Sequence, residues 1–136
     1  MAWVVDTCLL IDVAEEDPVF ARRSGELLES KESDGLVVCP VSLVETGPVF
    51  DGVWEDLEAF LQPICLKWDT QWTHRDTEVA FNAWHVAVQR KRQKQVKLRP
   101  VADVLIGAFA LRFDGLLTRN TADFKTLFPT LNLVEP

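Results

Sequence analysis

The sequence predicts an α/β fold in which a parallel sheet is covered by helices on both faces. The chain has 136 residues, 48% of them hydrophobic and 26% charged, which suits a single globular domain spanning residues 1–136. Short apolar runs typical of buried strands alternate with helical stretches along the chain. Such alternation implies right-handed crossovers between parallel strands, and ligands in these folds bind beyond the carboxyl ends of the strands.

The first half of the chain predicts strands and helices in turn. An apolar run ends abruptly at Asp6, as a buried strand would, and a helical stretch follows until Asp34 and Gly35 break the periodicity. The next apolar run leads into a short helix that Gly47 and Pro48 interrupt. The predicted strands are at 4–5, 36–40 and 64–68, and the predicted helices are at 19–31, 42–45 and 54–61.

The second half predicts two more strands. Residues 77–93 place Ala80, Trp84 and Ala87 on one face of an amphipathic helix. Residues 101–111 are apolar nearly all round, which is typical of a helix buried inside a domain. The remaining predicted elements are strands at 115–118 and 131–134, separated by a short helix at 122–127.

The charge distribution points to a nucleic-acid partner more clearly than the net charge does. A net charge of −7 argues against nucleic acid, because Lys and Arg dominate affinity for phosphates. Residues 90–99, however, hold six of the fourteen basic residues and no acid. The alternative is a solvated helix end whose cations suit the helix dipole. The candidate phosphate contacts are Arg90, Lys91, Arg92, Lys94, Lys97 and Arg99.

Other classes of function find little support in the sequence. The N-terminal residues lack the pattern of a secretory signal, and charged residues interrupt every apolar run, so we expect a cytoplasmic protein without a membrane partner. The three cysteines have no zinc-site spacing and are expected to be buried thiols. His74 and His85 do not fit a nucleophilic triad, and ordinary structural or surface roles are expected for both.

Three acidic residues fall where this fold predicts a site. Asp6 ends the first strand, Glu45 lies just after the second, and Asp103 starts the buried helix. Each has a structural alternative. Asp6 and Thr7 suit a helix cap, and Ser42 with Glu45 matches a capping box. Asp103 would be stabilised by the dipole of its own helix.

The apolar setting of all three acids favours a shared metal ion. Carboxylates are rarely buried unless they are paired or bound to metal. Carboxylates gathered in one pocket would repel each other, whereas a divalent cation keeps all of them ionised. Ligation by Asp6, Glu45 and Asp103 through oxygen alone suits Mg²⁺ or Mn²⁺. One or two such ions would polarise a phosphate and lower the pKa of a bound water.

Four short stretches carry a resemblance to a known family. They are Val4-Val5-Asp6-Thr7, Val41-Ser42-Leu43-Val44-Glu45, Ala102-Asp103 with Ile106, Ala108 and Ala110, and Leu117-Thr118-Arg119-Asn120 with Asp123-Phe124. In this order they resemble the successive motifs of PIN-domain nucleases, over nearly the whole chain. The last two stretches together are the most specific, and the length is similar to that of VapC-type toxins.

The resemblance implies a PIN-like three-layer α/β/α fold with a central, mainly parallel β-sheet of about five strands. It also implies Mg²⁺- or Mn²⁺-dependent RNA cleavage, homodimerisation, and pairing with an antitoxin protein in a toxin–antitoxin system. Asp6, Glu45 and Asp103 fall on the three core acidic ligands. Where many members have a fourth Asp this chain has Asn120, with Asp123 three residues on, so either residue would complete the site.

Several assignments stay open from the sequence. Thr7 and Thr118 either orient a carboxylate or phosphate or cap a helix locally, and Arg119 either holds a phosphate or pairs with an acid. Among the tryptophans, Trp54 and Trp72 have polar neighbours and are assigned to a partner surface. Two other functions compete with the ribonuclease: a metal-dependent nuclease of the same fold that cuts structured DNA, and a degenerate PIN module that binds without catalysis.

Overall fold

A computed structural model describes residues 2–93 and 97–136 of the chain. In these residues five parallel strands form one sheet in the order β3-β2-β1-β4-β5. The strands are β1 (Trp3–Val5), β2 (Leu36–Val37), β3 (Leu66–Lys67), β4 (Gly115–Leu117) and β5 (Leu133–Val134). The helices are α1 (Thr7–Ala14), α2 (Ala21–Lys31), α3 (Pro40–Glu45), α4 (Trp54–Leu61), α5 (His74–Arg92), α6 (Val101–Ala110) and α7 (Thr121–Leu127).

Strand β1 lies at the centre of the sheet, and the alternation of its side chains divides the core in two. Val4 packs with residues of α5, α6 and α7, whereas Val5 packs with residues of α1, α2 and α4. Leu116 and Leu117 of β4 divide in the same way because successive strand residues point to opposite faces. The three-layer α/β/α architecture predicted from the sequence is therefore confirmed, with a sheet that is parallel throughout the described residues.

The strand order reverses between β1 and β4. The chain moves from β1 through β2 to β3 on one side, and then crosses back to β4 and β5 on the other. The carboxyl ends of β1 and β4 meet where the backbone N–H of Asp6 donates to the carbonyl of Leu117 at 3.0 Å. A crevice forms at such a reversal, and ligands of open α/β sheets bind there.

The predicted elements are present, but their bounds differ near the amino end. The helix predicted at 19–31 corresponds to α2, and α1 before it has no predicted bounds. Its residues Cys8-Leu9-Leu10-Ile11 are apolar without helical spacing. Helix α3 begins at Pro40, two residues before its predicted start, and leaves β2 correspondingly short. Pro40 occupies the first helical position, where the missing N–H costs no hydrogen bond.

The side chains assigned from the sequence differ in their exposure. Trp72, which was assigned to a partner surface, is partly buried: its ring stacks on Phe109 with centroids 6.3 Å apart, its indole N–H donates to Thr77 Oγ1 at 2.8 Å, and it lines an apolar cleft between α5 and α6. Cys65 is exposed rather than buried, whereas Cys39 is buried as expected. Trp54 remains 47% exposed on α4.

The two histidines have the surface positions expected of them. Both are exposed, and His74 Nε2 lies 3.1 Å from Glu78 Oε1 one turn along α5. Within residues 2–93 and 97–136, no helix combines the length and the apolar character needed to cross a bilayer.

Candidate functional site

Asp6 stands at the reversal point of the sheet and is almost fully buried. It follows β1 directly, serves as the N-cap of α1, and is 4% exposed. Its Oδ1 accepts from the backbone N–H of Thr7 at 2.8 Å, and its Oδ2 accepts from Thr118 Oγ1 at 2.7 Å. Cys8 Sγ donates to the same Oδ2 at 3.4 Å. The Asp6 carboxylate therefore caps α1 through one oxygen, while Thr118 and Cys8 fix the position of the other.

Burial raises the pKa of Asp6 above its ordinary value, and the negative charge of Asp103 raises it further. Hydrogen bonds from Thr118, Cys8 and Thr7 act in the opposite direction. The influence of Asp103 shows that two of the predicted ligands share one electrostatic environment. Burial beside Asp6 also raises the pKa of the Cys8 thiol to about 12, so Cys8 is a protonated donor at neutral pH rather than a nucleophile.

Glu45 is linked to Asp6 through Thr7. The Thr7 hydroxyl donates to Glu45 Oε1 at 2.6 Å and lies 2.9 Å from Ser42 Oγ. Because the N-cap of α3 is Cys39 and Glu45 is its last residue, the capping box suggested by Ser42 and Glu45 is not formed. Glu45 is exposed, so the apolar setting expected for all three acids holds for Asp6 and fails for Glu45.

Asp103 lies in the first turn of α6 and is paired with Arg99. Arg99 Nη2 and Nε donate to Asp103 Oδ2 at 2.8 and 3.1 Å. The Nη1 atom of the same guanidinium lies 3.5 Å from Oδ2 of Asp123, in the first turn of α7. One arginine therefore joins the acid of the third motif to the acid of the fourth.

Asn120 enters this group through its backbone. It is the N-cap residue of α7, and its N–H donates to Thr118 Oγ1 at 3.0 Å. The Thr118 hydroxyl is fully buried, accepts from Asn120 and donates to Asp6. Asn120 thus helps to fix the hydroxyl that orients the central carboxylate.

The acids of the predicted site form two linked pairs, Asp6 with Glu45 through Thr7 and Asp103 with Asp123 through Arg99, and their oxygens are held by these protein partners. Among residues 2–93 and 97–136, no three His, Cys, Asp or Glu side chains stand at the spacing of a metal site. Thr7 holds an oxygen of Glu45, and Arg99 holds an oxygen of Asp103. The types of donor atom nevertheless fit a hard divalent cation, because Asp6 and Asp103 supply carboxylate oxygens. The charge of Asp103 also disfavours ionisation of Asp6, and a bound cation would offset that effect.

A basic cleft adjoins the acids. It has a volume of about 160 Å³ and lies between the end of α5 and α7. Arg90 donates from Nη1 to the carbonyl of Thr126 at 2.8 Å, which anchors it at the cleft wall. Lys91 and Arg92 are exposed on the last turn of α5, and Lys94 lies outside the described residues. The residues lining the cleft are Ala87, Arg90, Lys97, Arg99, Asp123, Thr126 and Leu127.

Arg119 is paired with an acid, which decides between the two roles considered for it. Its Nε and Nη2 donate to the two oxygens of Asp12 at 2.9 and 3.0 Å. Asp12 is 3% exposed and also accepts from Ser24 Oγ at 2.9 Å. The guanidinium lies 3.9 Å above the centre of the Phe20 ring. Arg119 therefore ties the turn after β4 to α1 and α2, and it is not a free phosphate contact.

Sequence reasoning missed Asp12 and the bridging role of Arg99. Asp12 sits inside an apolar stretch, as Asp6 and Asp103 do, and that setting was the available signal. The four-residue spacing of Arg99 and Asp103 permits a helical ion pair. The contact with Asp123 depends on how α6 and α7 pack, which no local spacing reveals.

Comparisons of the chain with protein-family models, with curated proteins and with solved structures found no match. The fold and the residues at the sheet reversal define an α/β protein with a buried carboxylate at that reversal, a second acid linked to it through Thr7, and a basic cleft whose lining includes Asp123.

Proposed function

We propose that the protein is an Mg²⁺- or Mn²⁺-dependent endoribonuclease that hydrolyses RNA phosphodiester bonds. The observation that carries the proposal is the buried Asp6 carboxylate at the reversal of a parallel sheet, opposed by the charge of Asp103. Burial and repulsion both disfavour an ionised Asp6, and a divalent cation offsets both.

The bound ion would supply a water of lowered pKa and positive charge toward the scissile phosphate. Asp6 and Asp103 are the proposed primary carboxylates, and Thr7 links Glu45 to Asp6 because its backbone N–H donates to Asp6 and its hydroxyl donates to Glu45. Thr118 fixes which way the Asp6 oxygens point. Asp123 is the proposed fourth acid, because Arg99 joins it to Asp103. It is preferred to Asn120, which contacts Thr118 through its backbone N–H.

The basic cleft is the proposed binding surface for the RNA backbone. Arg90, Lys97 and Arg99 line it next to Asp123, and cations at such a position contact phosphates without reading sequence. This arrangement lets an acidic protein hold an anionic polymer beside its acidic group. The affinity for single-stranded RNA should fall less steeply with salt when Lys97 is replaced by Gln. The negative slope of log affinity against log salt should shrink in magnitude by about 0.7, as expected for one lost phosphate contact.

Partners form a further part of the proposal, namely an antitoxin protein and a second copy of the chain. Exposed apolar side chains support it, since Val44 is 79% and Phe81 74% exposed. Each lies at an apolar cleft, one between α3 and α4 and the other between α5 and α6. Light scattering should give twice the mass of one chain, and a monomer mass at micromolar concentration would contradict the homodimer.

Cleavage of paired RNA and DNA oligonucleotides of one sequence tests the activity. With Mn²⁺ present, the natural protein should cut RNA, and the Asp103→Asn protein should lose about 10²-fold or more in rate, because a metal-dependent site loses a charged ligand. Glu78→Gln provides a matched control, since Glu78 is an exposed carboxylate paired with His74 on α5. Unchanged cleavage by Asp103→Asn would end the catalytic assignment.

Two other results would select the competing functions. Preferential cutting of the DNA oligonucleotide would identify a DNA nuclease with the same acidic group. Saturable RNA binding without cleavage at any Mn²⁺ or Mg²⁺ concentration would identify a binding module.

A further inference from the structure

Arg99 occupies an unusual position for a residue of an RNA-binding surface. Its guanidinium bridges Asp103 and Asp123, which come from the first turns of α6 and α7. The Arg99 side chain is 31% exposed and that of Asp103 only 17%. A partly buried positive charge thus holds two of the acids that the proposed function assigns to a divalent cation.

The geometry points to Arg99 as an internal counter-cation that competes with the divalent metal for Asp103 and leaves it when the metal binds. This inference rests on the proposed function. Asp103 Oδ2 cannot give its full charge to a metal while Arg99 donates two hydrogen bonds to that one oxygen. Without Arg99, Asp103 and Asp123 would lose the positive charge that lies within 3.5 Å of an oxygen of each.

The displaced guanidinium has a place to go. Arg99 directly precedes Pro100, the N-cap residue of α6, so the exchange needs rotation of the side chain and no shift of the helix. The same side chain already lines the basic cleft with Arg90 and Lys97. Metal binding would therefore free a phosphate contact beside the acids. Because coupling between two sites is reciprocal, a phosphate that takes the guanidinium would equally tighten binding of the metal.

A purely structural role makes a different prediction. If Arg99 only fastens the start of α6, its loss should lower the melting temperature equally in chelator and in Mn²⁺. As a counter-cation, its loss should lower the melting temperature in chelator, where the acids repel one another, and saturating Mn²⁺ should remove most of the difference.

The test is calorimetric titration of Mn²⁺ into the natural protein, Arg99→Gln and Arg90→Gln. Arg90 lines the same cleft and carries the same charge, but its guanidinium donates to the carbonyl of Thr126. Arg99→Gln should bind Mn²⁺ about tenfold more tightly, as for loss of one competing interaction. Arg90→Gln should gain about twofold at most, because general charge effects at an exposed cleft are screened.

Each outcome separates this inference from the proposed function. Equal gains in Arg99→Gln and Arg90→Gln, or none in either, would overturn competition at Asp103 while leaving the metal site standing. No saturable Mn²⁺ heat in any of the proteins would overturn both. Should Arg99→Gln fail to fold, Arg99→Lys serves, because an ammonium keeps the charge but lacks the planar fork. It should give a smaller gain than tenfold, and no gain would again count against the inference.

Discussion

Replacing Arg119 by Met should destabilise the protein without weakening its hold on RNA. The long apolar stem is kept, but the two hydrogen bonds to Asp12 are lost. Asp12 is 3% exposed, and its remaining partner is the Ser24 hydroxyl. The substitution therefore leaves a carboxylate inside the domain without its counter-charge, which is the costly way to break an ion pair.

The magnitude follows from burial. Breaking a buried pair from one side costs about 3–5 kcal/mol. The side chain of Arg119 is 31% exposed, so solvent screens part of the interaction and we expect a loss of about 2–3 kcal/mol in unfolding free energy. With a urea slope of about 2 kcal/mol per M, the unfolding midpoint should fall by about 1–1.5 M.

Urea unfolding followed by tryptophan fluorescence provides the assay, with Arg22→Met as the control. Arg22 pairs with Glu26 on the surface of α2, with side chains 90% and 63% exposed, and its loss should change the unfolding free energy by less than about 0.5 kcal/mol. Adding Asp12→Asn to Arg119→Met should recover part of the loss. Equal midpoints for Arg119→Met and Arg22→Met, or a fall in RNA affinity without a fall in stability, would refute the structural role of Arg119.

Two further predictions concern the site and the packing beneath it. Burial and the charge of Asp103 raise the pKa of Asp6, so the protonated carboxyl stabilises the fold at low pH and this stability is lost as the pH rises through the raised pKa. In chelator, the unfolding free energy of Asp6→Asn should therefore rise relative to that of the natural protein from pH 4 to pH 8. A constant difference between the two proteins would contradict the environment described for Asp6. Gly107→Ala in α6 would place a methyl group against the buried ring of Phe128, which should lower the unfolding free energy in a urea titration by about 1–3 kcal/mol. Gly25→Ala in α2 should raise it by about 0.5–1 kcal/mol, because no described atom outside its own helix and chain neighbours lies within 4 Å of the new methyl. Similar effects at the two positions would count against the packing described for α6.

The sheet and most helices were predictable because their signals are local. Apolar runs such as Leu36-Val37-Val38 identify strands, and the alternation of strands with helices implies a parallel sheet whatever the detailed packing. The position of Asp6 at the carboxyl end of β1 was predicted in the same way, whereas the reversal of the strand order beside it is seen only in the structure. The bounds of α1 could not be predicted, because a short helix packed against a sheet lacks the alternating polar face that would show its helical periodicity.

The pairing of charges could not be predicted in the same way. Arg119 with Asp12 and Arg99 with Asp123 join residues that are distant in sequence or lie on separate helices, so their contacts depend on tertiary packing. The spacing of Ser42 and Glu45 matched a capping box, but the helix begins at Pro40 and places Glu45 at its end. Local patterns thus identified the acids, whereas packing determined their partners.

The central claim is that Asp6, Glu45 and Asp103 bind a common cation, and Mn²⁺ titration of their neutral variants tests it most directly. The natural protein should give saturable heat, and Asp6→Asn, Glu45→Gln and Asp103→Asn should each weaken binding by about tenfold or more, as expected when a charged ligand is removed. Glu78→Gln should bind as the natural protein does. Saturable binding that survives all three substitutions, or no saturable binding by the natural protein, would contradict the account.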